Sequence, residues 1–156
     1  MVKIIDCNIF ETDAEVICHQ VNCTGVLDYA VGKQIKERYP RVFENYQNIC
    51  QKANHDQSVL LGTIADIPVS DKKDARIICS LFGQGSYPGS GFCYTNYDAL
   101  RECLEKVKKK YKTKRIALPY RMSCSVAGGD WRIVEEIILD VLGGLDVTIC
   151  RFRKND

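Results

Sequence analysis

The segment from Glu15 to Gln20, built around Val16-Ile17-Cys18, reads as a strand with a nearly continuous apolar run, and it passes straight into Val21-Asn22-Cys23-Thr24-Gly25. Such a run suits a strand covered on both faces, since neither side of its pleat is left polar for water. The fold must then place helices on both sides of a sheet. A second stretch repeats the plan: Arg115 to Leu118 reads as a short buried strand, followed by Pro119-Tyr120, a small-residue loop from Met122 to Trp131, and a helix. Two small-residue loops that each leave a strand and enter a helix can cradle one ligand between them.

The remaining pattern alternates strands and helices. Lys3 to Asp6 reads as the first strand, and Ala30 to Tyr39 as a helix stopped by Pro40, with a further helical piece from Val42 to Lys52. Leu60 to Ile67 and Arg76 to Leu81 read as an antiparallel pair joined through Ser70-Asp71-Lys72-Lys73-Asp74. Thr95 is the expected cap of a helix whose apolar face carries Leu100, Cys103, Leu104 and Val107. Asp130 is the expected cap of Trp131 to Leu142, Gly143-Gly144 its stop, and Val147 to Arg151 the last strand. The order predicts an α/β protein, a three-layer α/β/α sandwich around a mixed sheet of about six strands, with ligand loops at the strand C-terminal ends.

A chain of 156 residues suits one domain spanning 1–156, large enough to bury a core without staples. Nine cysteines raise the question of disulfides or metal, but their number is odd and no Cys-x-x-Cys occurs. Most sit in apolar segments and read as buried reduced thiols, and with only two histidines a metal centre has little support. Met1 to Asp6 reads as a strand rather than a secretory leader, and no apolar run approaches the roughly 20 residues needed to span a bilayer. A cytosolic location is expected. The net charge of +2 does not demand a polyanionic partner. The basic run from Lys106 to Arg115 ends a helix, where cations favour the dipole, with nucleic-acid binding as the alternative reading.

The sequence has no Walker A loop, no His-Glu-x-x-His, no Gly-x-Ser-x-Gly and no Gly-x-Gly-x-x-Gly after the first strand. Gly83 to Gly89 follows a strand with the wrong glycine spacing and reads as a ligand-covering loop. Asn22 is either a turn former or an amide for a sugar hydroxyl, and Gly25 either a left-handed turn residue or part of a phosphate loop near a helix start. Cys124 reads as packing rather than a nucleophile, because neither histidine has a sequence reason to lie beside it. Trp131 reads as a core anchor.

Together these residues carry a family resemblance. His19-Gln20-Val21-Asn22-Cys23-x-Gly25-Val26, Lys33-Gln34-Ile35 and Tyr39-Pro40 resemble the first ligand loop and helix of macrodomains. The likeness continues through Ser80-Leu81-Phe82-Gly83-Gln84, Thr95-x-Tyr97-x-Ala99-Leu100, and Leu118-Pro119-Tyr120 to Ala127-Gly128-Gly129-Asp130-Trp131. It covers essentially the whole chain, in order. The branch it looks most like is the bacterial and phage macrodomains related to ADP-ribosyl-glutamate and ADP-ribosyl-DNA hydrolases.

The resemblance implies a cleft for ADP-ribose or a derivative, with no cofactor. By position, Asn8 and Ile9 look like the adenine-recognition segment, where the family usually carries Asp in place of Asn8. Asn22 looks like the distal-ribose residue. Gly25, Val26, Ala30 and Val31 look like one phosphate loop, and Ser123, Cys124, Ser125, Val126 and Ala127 like the other. Gln84 falls where the catalytic lysine of the hydrolysing branch is expected, and it cannot form an imine with an opened ribose.

Asp28-Tyr29-Ala30 stands where relatives often read Gly-x-Gly. A carboxylate there repels a pyrophosphate unless it points outward, and a left-handed non-glycine costs roughly 1 to 2 kcal/mol. The reactions in view are release of ADP-ribose from a modified target and removal of phosphate from ADP-ribose 1''-phosphate. Asn22 would then orient the ribose, and Asp28 or substrate phosphate would polarise a water. The alternatives are a noncatalytic ADP-ribose reader and a diverged scaffold that binds nucleic acid or protein.

Overall fold

The computed structural model describes residues 1–70, 75–85, 94–122, 124 and 127–152. It contains a six-stranded sheet in the order β1-β6-β5-β2-β4-β3. The strands are β1 Val2–Ile5, β2 Val16–Val21, β3 Ile64–Ser70, β4 Ala75–Phe82, β5 Ile116–Pro119 and β6 Val147–Cys150. Among these six strands the β3–β4 pair is antiparallel and the other pairs are parallel, so the sheet is mixed as expected. The helices are α1 Ala30–Arg38, α2 Pro40–Lys52, α3 Gln57–Leu60, α4 Tyr97–Tyr111 and α5 Trp131–Leu142. A short 3-10 turn, Ile9–Glu11, follows β1. Among the described residues no helix is long and apolar enough to cross a membrane.

The alternation of side chains along β2 divides the core. Val16 and Cys18 join a cluster with Leu100, Leu104, Val134 and Ile138 from α4 and α5. Ile17 packs on the opposite face with Ile35 of α1 and Val42 of α2. Val21 meets Tyr46 and Cys50 of α2. Both sides of β2 are therefore buried, which is the physical reason for its apolar run. The described cysteines are free thiols, all buried but the half-buried Cys7. Burial pushes Cys103 up to about 12 and Cys23 and Cys50 to about 11, so these thiols stay protonated near neutrality.

Two local expectations need correction. Leu60 belongs to α3 rather than to β3, because Asp56 caps a helical turn there by accepting from Ser58 N. The cap of α4 is Asn96 rather than Thr95: its Oδ1 accepts from Ala99 N at 2.9 Å. The Thr95 hydroxyl instead accepts from Gln20 Nε2 at 3.1 Å, tying the entry of α4 to the end of β2. The polar turn at 71–74 lies outside the described residues.

Candidate functional site

The site begins as a parting of strands. β2 pairs with β4 along its whole length, from Val16↔Ile77 to Val21↔Phe82. With β5 it pairs only at Val16↔Ile116 and Ile17↔Ala117. Beyond those pairs the two strands separate, and their chains leave for opposite faces of the sheet, β2 towards α1 and β5 towards α5. A crevice outside the carboxyl ends of strands whose connections diverge is where open α/β sheets bind ligands. A cleft of about 350 Å³ lies there, lined by His19 and Gln20 of β2, Tyr29 and the first residues of α1 to Gly32, Gln84, and the end of β5 with the segment after it. Its volume falls within the usual range for small-molecule sites.

His19 lies at the base of the parting. Its ring is buried, with Nε2 2.8 Å from Ser80 Oγ, while Nδ1 is buried with no hydrogen-bond partner among the described residues. Burial pulls its pKa down to about 4, so the ring is neutral at pH 7. A buried nitrogen left unpaired calls for a cause, and a ligand or water in the cleft would supply one. His19 did not stand out in the sequence. The available signal was period two: it shares a sheet face with Ile17 and Val21, where a polar side chain is the exception.

The wall opposite β5 is the start of α1. Its first residues, Ala30, Val31 and Gly32, line the cleft, and its N-cap Tyr29 makes no side-chain capping bond. Among the described residues no side chain caps its first-turn amides, and the helix dipole favours an anion there. The helix on the other face differs, because Asp130 caps α5 by accepting from Arg132 N at 2.9 Å. Its bonds to Arg132, side chain first and then backbone, hold the Asp130 carboxyl below its ordinary range.

Ala30 has φ +50°, in the left-handed region. The strain expected at Asp28-Tyr29-Ala30 is present at the third of these residues. Ala30→Gly is therefore predicted to stabilise the fold by about 0.5 to 1 kcal/mol, left-handed relief outweighing the added chain entropy. Urea denaturation of the two proteins checks it.

Asp28 is outside the described cleft lining. Its carboxylate pairs with Lys36 Nζ at 3.1 Å, and Lys36 in turn lies 4.9 Å from the centre of the Phe43 ring. Asn22 is also outside the lining. Its Oδ1 accepts from Thr24 N at 2.9 Å and Thr24 Oγ1 at 2.7 Å and lies 2.6 Å from the Tyr46 hydroxyl. Its Nδ2 donates to Val26 O at 2.9 Å. Gly25, at φ +85°, donates its N–H to Tyr46 Oη at 3.2 Å and is buried against α2. The turn-former readings of Asn22 and Gly25 thus have a full structural basis, and Val26 takes part as an acceptor.

Ala30, Val31, Gln84, Cys124 and Ala127 are the sequence candidates that meet in the cleft. Cys124 is buried and donates Sγ–H to Met122 O at 3.2 Å. His55 Nδ1 lies on Cys23 O and His19 Nε2 on Ser80, so no imidazole pairs with that thiol. Asn8 and Ile9 lie outside the cleft lining, with Asn8 Oδ1 accepting from Phe10 N at 3.0 Å and Ile9 buried. Ser123, Ser125, Val126 and residues 86–89 of the expected covering loop from Gly83 to Gly89 lie outside the described residues. The basic run occupies the far end of α4, where Lys110 pairs with Asp66 and Lys114 with Glu15. Lys108, Lys109 and Lys112 line a separate surface groove with Glu105 and Asp140.

The Macro domain family model matches residues 18–138. The chain belongs to the macrodomain family. It is 25% identical to the ADP-ribose 1''-phosphate phosphatase of Saccharomyces cerevisiae strain YJM789, over 87% of this macrodomain and 89% of the yeast protein. In structure it resembles the macrodomain of Mycobacterium tuberculosis DarG, with a TM-score of 0.78, 22% identity and 97% of each chain covered. It also resembles Thermosipho africanus DarTG in complex with ADP-ribose, with a TM-score of 0.78 and 15% identity, covering 99% of this chain and 42% of that one. At such identities these structures speak to the fold, and the macrodomain sandwich is the fold seen here.

Proposed function

We propose that this macrodomain binds ADP-ribose or an ADP-ribose derivative in the cleft between β2 and β5. The observation that carries the reading is the uncapped N-terminus of α1 opening on a cleft whose described lining contains no carboxylate. A diphosphate meets free amides and a favourable dipole there, with no negative side chain to repel it. The pairing of Asp28 with Lys36 outside the described lining supports the same reading, since a cation balances the one acidic side chain of the loop. The yeast phosphatase by its name, and the DarTG structure by its bound ligand, give that ligand class to two similar proteins.

A second reading, hydrolysis, is favoured by His19. Its open Nδ1 can orient a water or a substrate hydroxyl, as a neutral hydrogen-bonding group. Gln84 lines the cleft where an imine-forming lysine would act and supports no covalent route. In this reading Asn22 orients the distal ribose and Asp28 polarises the attacking water only if their loop rearranges around the ligand, given the bonds that now hold both. Product analysis decides between the forms. ADP-ribosylated protein, ADP-ribosylated DNA and ADP-ribose 1''-phosphate are each incubated with the protein. Release of ADP-ribose or phosphate establishes an enzyme, and saturable ADP-ribose binding without release from any of them establishes a reader.

A further inference from the structure

We infer that Arg121 is a phosphate-binding residue of the cleft, its guanidinium holding the diphosphate of the ligand proposed above; the inference rests on that reading. Among the described lining residues it is the only one with a formal charge. Its guanidinium has no ion pair or hydrogen bond among the described residues; Arg38 and Arg41, both outside the cleft lining, likewise have no oxygen acceptor there, whereas Arg76, Arg101, Arg115, Arg132 and Arg151 do. An exposed, unpaired cation on the rim of a carboxylate-free cleft is matched by an anionic ligand, and a guanidinium presents a fork of donors suited to phosphate oxygens.

The backbone adds a separate observation. Arg121 has φ +59°, in the left-handed region that favours glycine. The residues on either side are fixed. Tyr120 donates its N–H to Cys150 O at 2.8 Å, and its ring sits 5.1 Å from that of Trp131 and 5.4 Å from the Arg151 guanidinium. Met122 is buried, with its N–H on Pro119 O at 3.2 Å. The turn therefore imposes the strained conformation, glycine would satisfy it better, and the chain carries a long cation there instead. Strain retained at a ligand cleft is what a residue kept for binding looks like.

The test compares wild type with Arg121→Ala, Arg121→Lys and Arg121→Gly by calorimetry against ADP-ribose, adenosine and inorganic pyrophosphate, with melting temperatures of the unliganded proteins. Arg121→Ala is expected to weaken ADP-ribose about tenfold, a change typical of one lost charge-assisted contact, and to leave adenosine within about twofold. Arg121→Lys should recover part of the loss. Arg121→Gly should melt about 2 °C higher while binding ADP-ribose as poorly as Arg121→Ala, so stability and affinity move in opposite directions.

The inference is overturned if Arg121→Ala binds ADP-ribose like wild type, or loses adenosine equally. It is also overturned if Arg121→Gly loses stability along with affinity. If wild type binds pyrophosphate through Arg121 but ignores ADP-ribose, the functional reading fails and Arg121 stands as an anion site. If wild type binds neither, both fail.

Discussion

Asn22→Ala is expected to destabilise the unliganded protein by about 2 to 4 kcal/mol, because the side chain it removes is the hub of a buried polar network. Its Oδ1 accepts from both groups of Thr24 and lies 2.6 Å from the Tyr46 hydroxyl, while Nδ2 holds Val26 O. Alanine leaves Val26 O and Thr24 short of partners in a region with little access to water, while Tyr46 keeps Asn22 O and Gly25 N. For a chain of this length the loss corresponds to a fall in melting temperature of about 5 to 15 °C. Tyr46→Phe removes the phenol that bonds Gly25 N, Asn22 O and Asn22 Oδ1, and should destabilise less. The double variant should lose less than the sum of the two singles. Thermal and urea denaturation measure all three. Unchanged stability in Asn22→Ala, with ADP-ribose binding abolished, would place the amide on the ligand rather than in the loop. Activity data on Asn22 variants are interpretable only beside such stability data.

Acid should weaken the fold through His19. Its pKa is about 4 in the native protein against an ordinary value near 6.5, so the unfolded chain binds the proton more tightly than the folded one. The contribution of the neutral ring is fully present above about pH 6.5 and is lost as pH falls towards 4, reaching roughly 3 kcal/mol there. Carboxylates whose pKa values are held low, such as Glu15 and Asp66, add their own losses at lower pH. Comparing wild type with His19→Gln isolates the histidine, since those other groups cancel. The stability difference between the two proteins should shift by about 3 kcal/mol against wild type between pH 7.5 and 4. A difference that stays constant across that range would show that His19 takes up its proton in the folded protein as readily as in the unfolded chain, and so is not desolvated in the native state.

Much of the architecture was legible because it rests on local patterns. The apolar run of β2, the Pro40 boundary between α1 and α2, and the Asp130 cap each encode structure within a few residues. The Thr95 and Asn96 exchange shows the limit of such reasoning. Two adjacent residues can both cap, and the choice fell to a partner far off in sequence, since Gln20 takes the threonine hydroxyl.

The cleft was less legible for the same reason. It exists because β2 and β5 stop pairing after Ile17 and Ala117, and that parting has no signature in either strand alone. Strand direction then decides that His19, Tyr120 and Arg121 line the cleft while Asn22 turns into the loop. Asp28 is the unusual residue of its loop, and the structure pairs its carboxylate with Lys36 outside the described cleft lining. Ala30 was the reverse case: the strain expected from its position is present in the backbone.

Titration with ADP-ribose, read by heat and by the emission of Trp131, tests the central claim most directly. Trp131 is the only tryptophan of the chain and contacts the ring of Tyr120, a residue of the cleft wall. Saturable heat with one ligand per chain, and a fluorescence change that saturates at the same concentration, is the predicted result. No heat, no change in emission and no thermal shift at millimolar ADP-ribose would contradict the assignment of the cleft while leaving the macrodomain fold in place.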